Sequence, residues 1–261
     1  MEKKDQILKQ SLAIRTFPIQ KVKDICDSFS LEKHDEVKPF DTKIKKWLEP
    51  VIDLFDFQYV YPINGITEGL NYWLWQEKRK VKIKVDDYAW IPQSEDGEVM
   101  YISCPSSIDG NHCDIPTDIP VVLDIAHIGS TAIKKMNVSD NVEKVFFSMS
   151  KCFGVRNYRI GYYFSRRPDY MLEKLIKSGK YYNYHSMELG ERLIENVKVD
   201  EVYNELKDYQ KQICEELELT PSDSVWLGTT TNSDYDKFKR GSINRINISE
   251  LLKHEYSRRI I

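Results

Sequence analysis

The chain has 261 residues, 41% hydrophobic and 12% aromatic, which is enough apolar material for a large buried core. Lys and Arg number 38 against 41 Asp and Glu, a formal charge of −3 with both signs spread along the sequence, which excludes a disordered chain and the basic footprint of nucleic-acid binding. Apolar runs are far shorter than the roughly 20 residues of a membrane span, the charged first residues do not resemble a secretory leader, and five scattered cysteines with no C-x-x-C pair predict a reducing cytoplasm and no metal site.

From Asp41, the apolar positions Ile44, Trp47, Leu48, Val51, Ile52 and Phe55 recur every three to four residues and predict an amphipathic helix behind an Asp cap. Residues 57–63 predict a strand, and Asn64-Gly65 then turns the chain into a second helical pattern through Leu70, Trp73 and Leu74. Further strands are predicted at 81–85, 99–104, 121–126, 144–149 and 160–165. Several are nearly continuous apolar runs, as expected of strands covered on both faces of an α/β sheet. After Pro168 come helix-period patterns at 170–176, 187–197 and 202–217, then a polar stretch and a periodic run at 245–252, with β-like composition only at 224–227 and 242–248. The expected fold class is α/β: an N-terminal arm in 1–40, a mostly parallel central sheet flanked by helices in 41–170, and a helical linker with a small α+β C-terminal domain in 171–261.

The segment Ser148-Met149-Ser150-Lys151-Cys152-Phe153-Gly154 places a lysine just beyond an apolar strand, with Arg159 and Gly161 following. Alone, Lys151 reads equally as a loop lysine; it becomes a nucleophile only where burial lowers its pKa or where it is held as an imine. Asp124 and His127 lie at and just beyond the end of the 121–126 run, and both can face one ligand only if the chain bends after Asp124. Gly65, Ile66 and Thr67 sit where a strand passes into a helix, a junction whose free N–H groups attract anions.

Together these segments resemble the aspartate aminotransferase superfamily, the fold type I pyridoxal-phosphate enzymes. S-x-S-K-x-F-G-x-x-x-x-R-x-G is similar to the family's cofactor-lysine motif, and N-G-x-T-E-G-L to its phosphate segment, in the family's order along the chain. The resemblance, which runs from Gly65 to Ser249, implies pyridoxal 5'-phosphate held as an aldimine on Lys151. Its phosphate would be bound by Gly65, Ile66, Thr67, Ser148 and Arg159, its ring nitrogen paired with Asp124, and its phenolic oxygen bonded by His127, where many members carry tyrosine. Tyr88, or alternatively Trp90, would lie against the cofactor ring, and Arg245 would grip the substrate carboxylate.

Ser107 stands in place of the asparagine of the family's N-P-x-N-P-T-G loop. Only 17 positions separate Tyr88 from Pro105, so a strand and its crossover helix are expected to be missing and the fold to be a compact variant. The implied activity is that of an aminotransferase moving an amino group between an amino acid and a 2-oxo acid, in a cytoplasmic homodimer. A related decarboxylase or lyase, or a degenerate member that binds a ligand without catalysis, remains the alternative, because the cofactor motif does not decide which bond is broken.

Overall fold

A computed structural model describes residues 3–10, 12–30, 41–84, 87, 88, 90–179 and 183–260. In chain order the elements are helices α1 (Lys3–Lys9), α2 (Gln20–Ser28) and α3 (Asp41–Leu48), strand β1 (Tyr59–Ile63), helix α4 (Ile66–Gln76), and strands β2 (Val81–Ile83), β3 (Val99–Ser103), β4 (Val121–Asp124) and β5 (Val142–Ser148). They continue through the short helix α5 (Met149–Cys152), strand β6 (Gly161–Ser165) and helices α6 (Tyr170–Gly179), α7 (Tyr184–Asn196) and α8 (Glu201–Glu216). Strands β7 (Thr220–Pro221), β8 (Leu227–Thr230), β9 (Lys239–Arg240) and β10 (Ile243–Asn247) precede the last helix, α9 (Ser249–Ile260).

A six-stranded sheet runs in the order β1-β6-β5-β4-β3-β2. Strands β2 to β5 are parallel, while β6 pairs antiparallel with both β5 and β1. All four residues of β4 are buried, as a central strand covered on both faces requires. The period of two divides the sheet between two cores. Leu123, Val145 and Phe147 pack toward one that includes Trp226, Ile246 and Leu251, whereas Val122, Phe146 and Tyr163 pack toward one that includes Leu70 and Trp73. Helix α4 supplies the second core with an i, i+4, i+7 stripe of Ile66, Leu70 and Trp73.

Among the described residues, none of the three crossovers between parallel strands, at 84–98, 104–120 and 125–141, contains a helix. These connections are irregular chain with turns and bends. The C-terminal region forms a separate antiparallel sheet in the order β7-β8-β10-β9. Helix α8 packs into the first core through Val202, Leu206, Ile213 and Cys214.

Three local expectations are corrected. The periodic run from Asp41 to Phe55 is helical only to Leu48, because Pro50 has no N–H to continue the ladder, and Phe55 is left exposed in a turn. Residues 224–226 form a turn rather than a strand, with the Ser224 N–H donating to the Gly110 carbonyl and the Leu227 N–H to Ser224. The run 245–252 divides into strand and helix, since the Asn247 carboxamide oxygen accepts the Ser249 N–H at 3.1 Å and opens α9. Val85, predicted to end β2, lies outside the described residues.

Candidate active site

The carboxyl ends of the central strands carry the polar groups. Register sets Ser103 of β3 beside Asp124 of β4, and Ser148 of β5 beside Gly161 of β6, which is itself opposite Ile63 of β1. The carboxyl end of an open parallel sheet is where such folds bind ligands.

Asp124 is fully buried. Its Oδ1 accepts the Ala126 N–H at 2.7 Å, which bends the chain directly after the strand. Its Oδ2 accepts hydroxyl hydrogens from Tyr101 at 2.7 Å and Tyr88 at 3.0 Å. The charged carboxylate is thus satisfied by neutral donors, and burial together with the Asp124 charge drives both phenol pKa values well above their usual range.

The bend brings His127 back toward Lys151, whose Nζ lies 3.1 Å from His127 Nε2. Lys151 sits in α5, a single turn capped by Ser148, whose Oγ accepts the Ser150 N–H at 3.2 Å. Neighbouring segments fix this turn: the Trp226 indole donates to the Lys151 carbonyl at 2.8 Å, and the Thr16 hydroxyl to the Ser150 carbonyl at 2.7 Å. Burial lowers the Lys151 pKa, with the charges of Asp124 and Asp87 opposing and those of Arg245 and Arg240 assisting. Burial also holds the His127 pKa well below its ordinary value, and the charges of Lys151 and Arg245 add to this. The site therefore contains a neutral imidazole beside an amine that gives up its proton more readily than a solvated lysine.

An anion cradle lies at the start of α4. Gly65 has φ +83° and precedes the helix, whose first-turn N–H groups at Ile66 and Thr67 have no intrahelical acceptors. Arg159, in the left-handed region at φ +55°, sends Nη2 to the Asn64 carbonyl at 2.9 Å. A β-carbon on Gly161 would stand 2.9 Å from the Gly65 Cα, so the absence of a side chain there lets the two backbones pack directly against each other. The Thr67 side chain is exposed at the rim. Ser148 Oγ is 3.0 Å from Ser150 Oγ and donates to the Ile160 carbonyl at 3.2 Å.

A third group joins the crossover loop to the C-terminal sheet. Ser107 donates its hydroxyl to Asp87, a buried carboxylate whose pKa is raised by burial and held back by that bond. Arg245 on β10 donates to the Ser107 carbonyl at 2.6 Å and to the Leu12 carbonyl at 3.0 Å, while its buried Nε has no partner. Burial and the nearby charge of Arg240 bring its pKa down to about 10.

Lys151, His127 and Asp124 thus share one electrostatic site, with Arg245 and Asp87 near enough to act on the lysine; Gly65 and Arg159 form the adjoining cradle. Tyr88 meets Asp124 through its hydroxyl, and its ring packs edge-on against Tyr101 at 5.5 Å and Trp90 at 6.4 Å. Tyr101, Asp87 and Ser224 also belong to the site but stand in no motif. Tyr101 could have been found only as a strand tyrosine two residues before the strand end that pairs with Asp124. Among the described residues, no cluster of three or more His, Cys, Asp or Glu side chains could hold a metal ion, and no helix is long and apolar enough to cross a membrane.

The chain matches no protein-family model and no curated protein. It is similar in structure to a PLP-bound C-S lyase from Staphylococcus hominis, with 11% identity, a TM-score of 0.70 and coverage of 96% of this chain and 89% of that one. An aminotransferase from Staphylococcus aureus aligns at 13% identity and TM-score 0.63 over 96% and 93% of the two chains. An aromatic aminotransferase from Pyrococcus horikoshii aligns at 11% identity and TM-score 0.64 over 98% and 97%. These likenesses show the fold: a mixed α/β architecture shared with aminotransferases and C-S lyases.

Proposed function

We propose that this chain is a pyridoxal 5'-phosphate-dependent aminotransferase that moves an amino group between an amino acid and a 2-oxo acid, working as a cytoplasmic homodimer. The observation that carries this reading is the placement of the Lys151 amine, its pKa lowered by burial, beside His127 and in the field of the strand-end carboxylate of Asp124. The N-terminus of α4 at Gly65, with Arg159 beside it, lies at the same end of the sheet.

The residues fit the cofactor. A phosphate dianion suits the N–H groups of Ile66 and Thr67, the Ser148 hydroxyl and the Arg159 guanidinium. Asp124 supplies the fixed negative charge that a protonated ring nitrogen needs, and Tyr101 holds that carboxylate in place. When bound, the cofactor supplies an electron sink for the bond broken at the substrate Cα.

The remaining chemistry falls to the chain. Lys151 in its neutral form would hold the cofactor, and the same amine would take the proton from the substrate Cα and later return it. Trp226 and Thr16 keep that amine in place by bonding the main chain of α5. Arg245 is the cation available to a substrate carboxylate, and Asp87 balances its charge inside the site.

The likeness to a C-S lyase supports a second reading, in which the same residues serve elimination of a sulfur-bearing side chain. Purified protein mixed with the cofactor should develop a visible absorption band, and borohydride should trap the adduct on Lys151. Absence of both in wild type, or their persistence in Lys151→Ala, would sink the cofactor reading. Incubation with amino acids then separates the two activities: a 2-oxo acid with retained side chain marks transamination, whereas release of sulfide or thiol marks the lyase.

A further inference from the structure

Behind Lys151 runs a chain of hydroxyls that no cofactor role requires. Ser130 Oγ donates to the His127 carbonyl at 2.7 Å and lies 3.1 Å from Ser224 Oγ. Ser224 Oγ is 3.0 Å from His127 Nδ1, and His127 Nε2 is 3.1 Å from Lys151 Nζ.

Counting hydrogens sets the polarity of this chain. Ser130 has one hydroxyl hydrogen and gives it to the His127 carbonyl, so the contact between the two serines uses the hydrogen of Ser224. Ser224 can then only accept from the ring, which places the imidazole proton on Nδ1. Nε2 is left as a bare acceptor for a hydrogen of Lys151, consistent with the neutral ring that burial enforces.

Ser224 belongs to the C-terminal region and is 97 residues from His127 in sequence. It is fully buried and tightly held. Its N–H donates to the Gly110 carbonyl at 3.0 Å, its carbonyl accepts Gln210 Nε2 at 3.0 Å, and the next N–H, of Val225, donates to the Ser130 carbonyl at 2.9 Å. Gln210 Nε2 also faces the carbonyls of Ser222 and Leu227, both at 2.9 Å, so α8 clamps the whole turn.

We propose that Ser224 is a positioning residue that fixes His127 in its Nδ1–H tautomer and thereby sets the aim and proton affinity of the Lys151 amine. The inference rests on the reading of Lys151 as the reactive amine and adds a part of the chain, the β7–β8 turn, to its control. Seating of the C-terminal sheet then decides whether the lysine has an acceptor.

Without the Ser224 hydroxyl, a proton on Nδ1 is buried without a partner, and the Nε2–H tautomer is favoured instead. That tautomer presents N–H to the charged lysine, which loses its acceptor and a reason to stay protonated. The other charges facing the amine are unchanged: Asp124 and Asp87 favour its charged form, and Arg245 and Arg240 oppose it. The Lys151 pKa should therefore fall.

The test uses the cofactor-free protein labelled with ¹⁵N-histidine, with the His127 signals assigned by their loss in His127→Gln. Wild type should show a protonated Nδ1 and an unprotonated Nε2. Ser224→Ala should move the proton to Nε2, and competitive acylation with acetic anhydride should label Lys151 about threefold more at a pH below its midpoint, the effect of a fall of roughly half a pKa unit. Ser130→Ala should act in the same direction by freeing the Ser224 hydroxyl to donate to Nδ1, whereas Ser224→Thr should restore both wild-type signatures. A wild-type ring protonated on Nε2, or a Ser224→Ala protein with unchanged tautomer and acylation profile, overturns the proposal. Borohydride trapping on Lys151 decides the cofactor reading separately, so each idea can fail alone.

Discussion

A β-carbon on Gly65 would lie 2.6 Å from Nη2 of Arg159, closer than a real β-carbon approaches another heavy atom. The cradle at the start of α4 is therefore built on backbone, with the guanidinium lying where a side chain would otherwise be. Gly65→Ala combines this clash with an unfavourable φ of +83°. It should cost about 1–3 kcal/mol of stability and weaken phosphate binding at least roughly tenfold, equivalent to 1.4 kcal/mol of binding energy. Gly241→Ala supplies the control, because it shares a positive φ of +59° but meets nothing within 4 Å. Thermal unfolding and isothermal titration with inorganic phosphate check the pair: both variants lose stability, and only Gly65→Ala loses the anion.

The two phenols on Asp124 lead to a second prediction. Tyr101 is fully buried and donates at 2.7 Å, whereas Tyr88 is half-buried and donates at 3.0 Å to the same oxygen. Removing the buried donor leaves a charged acceptor short of one bond that water cannot easily replace. Tyr101→Phe should cost about 1.5–3 kcal/mol, the value of a hydrogen bond to a charged group, and Tyr88→Phe less. Urea unfolding of the two variants tests the order; a larger loss for Tyr88→Phe would contradict it.

The parts of the site legible in the sequence are those built from neighbours along the chain. Asp124 ends a run of apolar residues, Lys151 follows another, and Asn64-Gly65 stands between strand-like and helix-like periods, so strand ends and turns mark them directly. The hydroxyl relay is different. His127 and Ser224 meet only because a C-terminal turn is folded against the crossover after β4, and no spacing encodes that contact. Tyr101 likewise reads as one aromatic among several until sheet register brings β3 beside Asp124. The overextended helix after Asp41 shows the converse limit, where a hydrophobic period continues through Pro50 although the hydrogen-bond ladder cannot.

At the amino ends of the parallel strands, Arg79 joins the residues before β2 to β5, donating to Glu77 at 2.9 Å and to Glu143 at 2.7 Å. Burial alone would raise the Glu77 pKa, yet bonding to Arg79 and to the Trp73 indole holds it down to about 2. A carboxylate with a depressed folded-state pKa stabilises the fold above its unfolded value near 4.3, and that contribution is lost as pH falls through about 2. Arg79→Leu should therefore destabilise the protein by roughly 1–3 kcal/mol at pH 7. The deficit relative to wild type should shrink between pH 5 and pH 2. Denaturation curves across that range measure it, and a deficit that grows on acidification would reverse the sign.

Arg245 already spends two of its nitrogens on the chain, holding the Ser107 carbonyl of the crossover loop and the Leu12 carbonyl of the N-terminal segment. Asn247, two residues along the same strand, adds a 2.9 Å bond to the Ala13 carbonyl, so residues 12 and 13 are strapped to β10 by side chains. A substrate carboxylate that takes the Nη edge as a bidentate fork competes with these carbonyls for the guanidinium, two of whose five N–H groups they already occupy. Saturating 2-oxo acid should then loosen the segment that ends at the exposed Arg15, raising trypsin cleavage there, while an amine lacking a carboxylate should not. Arg245→Ala should show fast cleavage without ligand and no further response. It should also lose about 2–4 kcal/mol of stability, through two severed bonds from a charged donor. Arg245→Lys keeps the charge but not the fork, and should recover little of the protection. Identical cleavage with and without the oxo acid in wild type would show that the carboxylate does not compete for Arg245, and the substrate-binding role proposed for that residue would fall.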